Sequence, residues 1–408
     1  MMKIKAITLL LLLSLAMVWS SCEDYATNVD PLIDRVADEL LTSESQVPFV
    51  INGVKTRFAA TQDQLMVMGC LLSDEFFFDG NLPGASWPQY SEIDLGEITL
   101  DNASVGNMSL LLGELRFYSD DLVRRVGEIS FSNTDLKESA LFEGNLYGGI
   151  ARYLYATYLG LNPNEGGGVI DNGPFIQSNE MYALAIEKFK AALTHTSDGY
   201  QQRIANSLLA RSYLFNGDFV NALTYAQSGM AAGDEPFQGL HNLEANNYFW
   251  QQAGAGRTQG GADSRFHEYI VTDPKEANRV LIEEIVGNDG TTTYYRQAKY
   301  PVEESPVTFI SWQENELMLA ELELRTANSA SALNRVNNIR AAHSIDPLAA
   351  VDMRALIVER DKELCFTGVR LADQRRFNSE YQTWHLASDK WQYLPITNNE
   401  RNINPNIP

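Results

Sequence analysis

The chain has 408 residues, 45% of them hydrophobic, and a formal charge of −22. That length can bury a large core, as one big domain or as two to three ordinary ones. So acidic a balance excludes nucleic acid as a partner, because phosphate recognition needs a positive footprint.

The N-terminus reads "MMKIKAITLLLLLSLAMVWSSC". Lys3 and Lys5 precede an apolar run from Ala6 to Trp19, followed by the small Ser20 and Ser21, which is the pattern of a secretory signal over residues 1–21. Cys22, directly after two serines, resembles the lipoprotein box in which the cysteine thiol takes the lipid, although Trp19 stands where an aliphatic residue is usual. Glu23 and Asp24 resemble the surface-export signal of some Gram-negative lipoproteins. The expected location is therefore the outer membrane, lipid-anchored and facing the exterior, since no later window is apolar enough to span a bilayer. The other two cysteines, Cys70 and Cys365, sit among apolar neighbours and read as buried thiols, too few for a disulfide framework.

Residues 22–55 are expected to form a lipidated N-terminus and linker broken by Pro31 and Pro48, and residues 56–408 a single helical domain. Amphipathic periodicity predicts helices over 58–72 and 109–128. A helix pair follows, near 141–193, its members separated by a Gly- and Asn-rich loop at 162–180. In 201–231, Ile204, Leu208, Ala210, Tyr213 and Leu214 share one face, Asn216, Gly217 and Asp218 form a turn, and Ala222, Leu223, Tyr225 and Ala226 continue a second helix. The spacing of Ala210, Tyr213, Phe219, Ala222 and Ala226 resembles a tetratricopeptide repeat, in which alanines let antiparallel helices approach and aromatics fill the groove. A third pair is predicted near 312–342. The intervals 73–108 and 232–308 lack sustained periodicity, and loops that long are usually functional. The expected fold class is all-α dominated: a tetratricopeptide-type helical scaffold with long irregular loop excursions and few short strands.

Four segments in the second half carry a family pattern. They are "GADSRF" at 261–266; Glu314, Ala320, Glu321, Val336, Asn337 and Arg340 in the third helix pair; "ERDKELCFTGVRLADQRRF" at 359–377; and Pro395, Glu400, Asn404 and Pro405 in the tail. Together with the lipoprotein start these resemble the SusD/RagB family of outer-membrane nutrient-uptake lipoproteins. Two departures are Thr367, in place of the usual Glu before the glycine, and Thr397, in place of a Pro. The resemblance implies a SusD-like scaffold without catalytic activity, partnered with a SusC-like TonB-dependent outer-membrane transporter. Its implied ligand is oligosaccharide, or peptide in a minority of relatives; a docking scaffold with no ligand of its own is the third reading. No ligand residue carries over as a motif.

The residues themselves point to no enzyme, metal or cofactor. The five histidines are scattered, without metal-ligand spacing. Gly166, Gly167 and Gly168 read as a flexible linker, because no Lys-Ser/Thr follows to make a phosphate loop. Asp74–Glu75 and Glu283–Glu284 read as solvated surface. Sugar rings offer apolar C–H faces, so candidate ligand contacts are aromatics in the excursions with polar neighbours. These are Trp87 and Tyr90 with Asn81, and Tyr248 and Trp250 with Arg257. The charged stretch at 359–376 has interleaved signs, which suits ion pairing. It predicts a helix over 353–366 ended near Gly368, after which Arg370, Asp373 and Arg376 turn back onto Glu359 or Glu363 as a structural clasp.

Overall fold

The computed structural model describes residues 41–407. The expected signal at 1–21, Cys22 and the linker as far as residue 40 lie outside the described residues. The chain divides into a short N-terminal unit ending at Val47 and a compact unit from Pro48 onward. Of the first, residues 41–47 are described, with a single 3-10 turn, Glu44–Gln46, closed by a Ser43–Gln46 capping box.

Helix α1 (Val47–Leu72) begins well before position 58, so the linker does not extend to 55. Pro48 sits in its first turn, where a missing N–H leaves no bond unmade, and so it starts the helix instead of breaking it. Strand β1 (Phe76–Phe77), the short α2 (Pro88–Asp94), α3 (Ala103–Glu128) and α4 (Thr134–Tyr158) follow. Asn102 and Asn133 cap α3 and α4 through side-chain bonds to Val105 N and Leu136 N. From Phe142 to Tyr158 every residue of α4 is buried, which marks it as the central helix of the scaffold.

The next segment was expected to be a loop. It is instead a hairpin of β2 (Leu159–Asn162) and β3 (Glu165–Gly168), with β4 (Ile176–Gln177) pairing on β3. The three glycines are thus an ordered strand and no flexible linker. A Cβ on Gly166 would stand 2.2 Å from the Tyr393 ring, one on Gly168 would stand 2.5 Å from Tyr155, and Gly167 has φ +147°. Only glycine fits between those rings in that backbone conformation.

Helix α5 (Ser178–Leu193) packs on α4, and α6 (Gly199–Phe215) pairs with α7 (Phe219–Ala226), whose first turn is capped by Asp218. Beyond them lie β5 (Phe237–Gly239), α8 (Tyr248–Ala253), β6 (Gly261–Ala262), α9 (Ser264–Thr272), the hairpin of β7 (Ile282–Val286) and β8 (Thr293–Gln297), and β9 (Val307–Ile310). The third pair is α10 (Trp312–Arg325) with α11 (Ser329–Ala342), after which come α12 (Met353–Glu363), α13 (Arg370–Tyr381), β10 (Leu394–Pro395) and α14 (Asn398–Arg401). The three helix pairs stand where periodicity puts them, and helices dominate the architecture.

One aromatic cluster joins the pairs to the excursions. Phe58 of α1 lies within 4.9–5.5 Å, ring to ring, of Tyr147, Phe237 and Phe309. Beside it the fully buried Arg211 of α6 donates to Glu314 Oε1 of α10 (2.7 Å) and to the Phe309 carbonyl (2.6 Å), with its guanidinium over the Tyr153 and Phe309 rings. A charge so placed is held by its partners, and removing either would strand the other in the core.

Candidate functional site

The two long excursions meet. Strand β1 pairs antiparallel with β6, Phe76 opposite Ala262. Just beyond, Gly84 N donates to the Thr258 carbonyl (3.3 Å), and a Cβ on Gly84 would lie 1.4 Å from the Arg257 carbonyl oxygen. No other residue permits that approach. Gln259, fully buried, fastens the contact: its Oε1 accepts from Ser86 N (2.9 Å) and Trp87 N (3.2 Å), and its Nε2 donates to Ser86 Oγ (3.2 Å). The backbone N–H groups of Gly84, Ser86 and Trp87 are thereby satisfied.

This junction sets two indoles on either side of residues 256–257. Trp87 is half-buried, edge-on to Tyr90 (5.6 Å), with the exposed Arg257 guanidinium 5.5 Å from its ring. Arg257 also donates to Ser86 Oγ. Trp250, likewise half-buried, sits in the first turn of α8, where its N–H is capped by Asn247 Oδ1 (3.0 Å). Its carbonyl accepts from Gly256 N (3.0 Å). Partly exposed indole faces beside a fixed cation can take the apolar face of a ring-shaped ligand and hydrogen-bond its edge.

Three of the expected contacts take other roles. Tyr90 is completely buried and presents no platform; its hydroxyl meets that of Tyr248 at 3.0 Å, so both rings support the site from below. Asn81 is used up in the loop: its amide donates to Tyr294 Oη (3.2 Å) and accepts from Asp289 N (2.9 Å), tying the excursion to the β7–β8 turn. Under Tyr248, its backbone N–H donates to Asp63 Oδ2 (2.7 Å), and burial pushes the Asp63 carboxyl well up despite that bond. Gln259 and Ser86, which hold the junction, carry no signal in "AGAGRTQGG" or "GASWP" that separates them from ordinary loop polar residues.

No protein-family model and no curated protein sequence matches the chain. Solved structures do match. A SusD superfamily protein from Bacteroides thetaiotaomicron superposes with a TM-score of 0.73 over 90% of this chain and 99% of its own, at 16% identity. A laminarin-binding SusD-like protein gives 0.70 over 88% and 97%, at 13% identity. Surface glycan-binding protein A from Bacteroides uniformis gives 0.68 over 90% and 99%, at 16% identity.

The fold is SusD-like.

In this SusD-like fold the charged stretch is buried wiring, with different partners from those expected. Helix α12 ends at Glu363, earlier than 366, because Phe366 adopts the left-handed conformation (φ +59°) ahead of Gly368. Glu359 accepts from Arg279 and Arg340 (2.7 Å each), and Glu363 from His343 Nε2 (3.0 Å). Asp373 is gripped by Arg360 through two bonds (2.7 and 3.0 Å) and by Arg376 (2.8 Å), and Arg376 continues to Glu321. Arg370 turns to Asp74 (2.7 Å), which also takes Arg265. The partners of Glu359 and Glu363 are Arg340 of α11, His343 just past its end, and Arg279 just past the 3-10 turn Pro274–Asn278, whose proximity the local sequence does not encode.

Asp74 and Glu75 are correspondingly no solvated pair. Glu75 is buried, accepts from Cys70 Sγ (3.0 Å) and Phe366 N (2.9 Å), and is pushed up to about 7 by burial. Cys70 and Cys365 are both free and buried, as expected.

Proposed function

We propose that this protein is a non-enzymatic receptor, lipid-anchored through Cys22 at the outer surface of the cell. It captures oligosaccharide and passes it to a SusC-like TonB-dependent transporter. The observation that carries the reading is the Trp87–Arg257–Trp250 constellation, two indoles and a guanidinium fixed at the junction of the excursions. The likeness in fold to a laminarin-binding protein supports it. Glycan binding of this kind is a stacking problem with a polar rim, and each aromatic–ring contact contributes about 1 kcal/mol. Trp87→Ala and Trp250→Ala are therefore expected to weaken oligosaccharide binding about five-fold each in calorimetry, with unchanged melting temperatures. Both variants binding like the unaltered protein would remove the constellation from the site.

Arg257 favours a second reading, a peptide-binding lid of the same kind of transporter, because an exposed guanidinium beside an indole also suits a peptide carboxylate. Pools of short peptides screened beside glycans separate the two. Copurification with a barrel from detergent-solubilised outer membrane tests the partner.

A further inference from the structure

A second concave surface lies along α3, formed by no residue of the Trp87–Trp250 junction. Its cleft, about 1010 Å³, has α3 as one wall and the segment after β3 together with α14 as the other. That volume is at the upper end for a specific ligand site, about 300–1,000 Å³. Positions 106, 110, 113 and 117 share one face of α3 at helical spacing. Gly106 lets α14 close in, since a Cβ there would stand 3.1 Å from Asn399 Nδ2, and Gly113 opens the trough, where a Cβ would meet only the Tyr155 hydroxyl, 3.8 Å away. Leu110 (61% exposed), Phe117 (53%) and, across the tail, Ile403 (66%) stand open to solvent at the edges. Tyr118 packs edge-on against Phe117 at 6.0 Å.

The polar groups of the cleft differ in what they are bonded to. The charged ones are engaged: Arg116, the one cation among the described lining residues, pairs with Asp171 and Asp120, and Glu114 pairs with Arg57 (3.1 Å). Of the neutral ones, Asn107 donates to Gln64 Oε1 (3.0 Å), whereas four others are unused. The hydroxyl of Ser109 is buried without a partner, and the side chains of Tyr155, Asn172 and Asn399 find none among the described residues. Unused hydroxyls and amides between apolar edges call for a neutral ligand rich in hydroxyl groups and with apolar faces. An anionic ligand would meet Glu114, Asp171 and Glu400 with no uncommitted cation to receive it.

We infer that the α3 cleft is a second oligosaccharide subsite, selective for neutral glycans. This rests on the glycan-binding reading above. It adds a site on a different part of the scaffold and a selectivity that the Arg257 junction does not impose.

The test uses the full chain from Cys22 onward and neutral oligosaccharides cut from starch, laminarin and xylan, with oligogalacturonides as the acidic arm. Hydrogen exchange is followed with and without each sugar, alongside binding by Gly113→Leu and Phe117→Ala. Gly113→Leu fills the trough while raising helix propensity, so loss of folding is not its expected effect. The expected result is slowed exchange over 103–118 with a neutral sugar, about ten-fold weaker binding in both variants, and no response to oligogalacturonides. Neutral sugar bound at Trp87 and Trp250, with exchange over 103–118 and both variants unaffected, overturns the cleft and leaves the junction standing. Preferential protection by oligogalacturonides overturns the selectivity. No neutral sugar bound by the unaltered protein overturns both readings.

Discussion

Glu75 shows how much a single buried side chain can hold against its ordinary chemistry. In "SDEFFF" it reads as half of a surface carboxylate pair, because adjacent residues in an extended segment point to opposite sides. The structure turns Asp74 out to Arg265 and Arg370 and Glu75 in to Cys70 and the Phe366 backbone. Burial raises its pKa to about 7 from an unfolded value near 4.5. The folded state therefore keeps a proton that the unfolded state has released, and stability from this group falls as pH rises between those values. The shift corresponds to about 3 kcal/mol at its limit. Glu75→Gln does not titrate and still accepts from Phe366 N. Its melting temperature relative to the unaltered protein should improve progressively between about pH 5 and pH 8; a difference that stays constant across that range contradicts the assignment.

At the scale of elements, the helix pairs were legible because alanine and aromatic spacing is a local signal that survives into packing. The ends of elements were less so. Pro48 looked like a breaker and is an initiator, and the glycines 166–168 looked like a linker and are a strand. In the second case the reason lies in Tyr393 and Tyr155, distant residues whose rings leave no room for a Cβ. The charged stretch was legible as a clasp, yet Glu359 is bound from outside it, by Arg340 of the preceding helix and by Arg279, 80 residues earlier in the chain. Within the stretch, Arg360 joins α12 to α13 through Asp373, both buried. Arg360→Ala should cost about 3–5 kcal/mol in denaturant unfolding, because Asp373 keeps its burial and loses its two-bond partner. A loss under about 1 kcal/mol would show that Arg376 alone satisfies that carboxylate.

Over the whole molecule, the scaffold class and the loops as the place to look for a site followed from periodicity and its absence. Of the six candidate contacts, Trp87, Trp250 and Arg257 lie together at the junction, whereas Tyr90, Tyr248 and Asn81 are structural. Sequence alone could not separate these, since a tyrosine that pins a loop and one that faces a ligand have the same neighbours in the chain. Phe117 and Tyr118 were missed for the opposite reason. They fall on the polar side of an ordinary amphipathic helix, and only the tail folding across it makes a cleft there. On the proposal above, this SusD-like scaffold binds glycan without transforming it. Titration calorimetry of the unaltered protein with neutral oligosaccharides and with peptide pools of similar length tests it most directly. Saturable binding of an oligosaccharide that is recovered uncleaved is the predicted result; binding of peptides alone, or cleavage of the sugar, would contradict it.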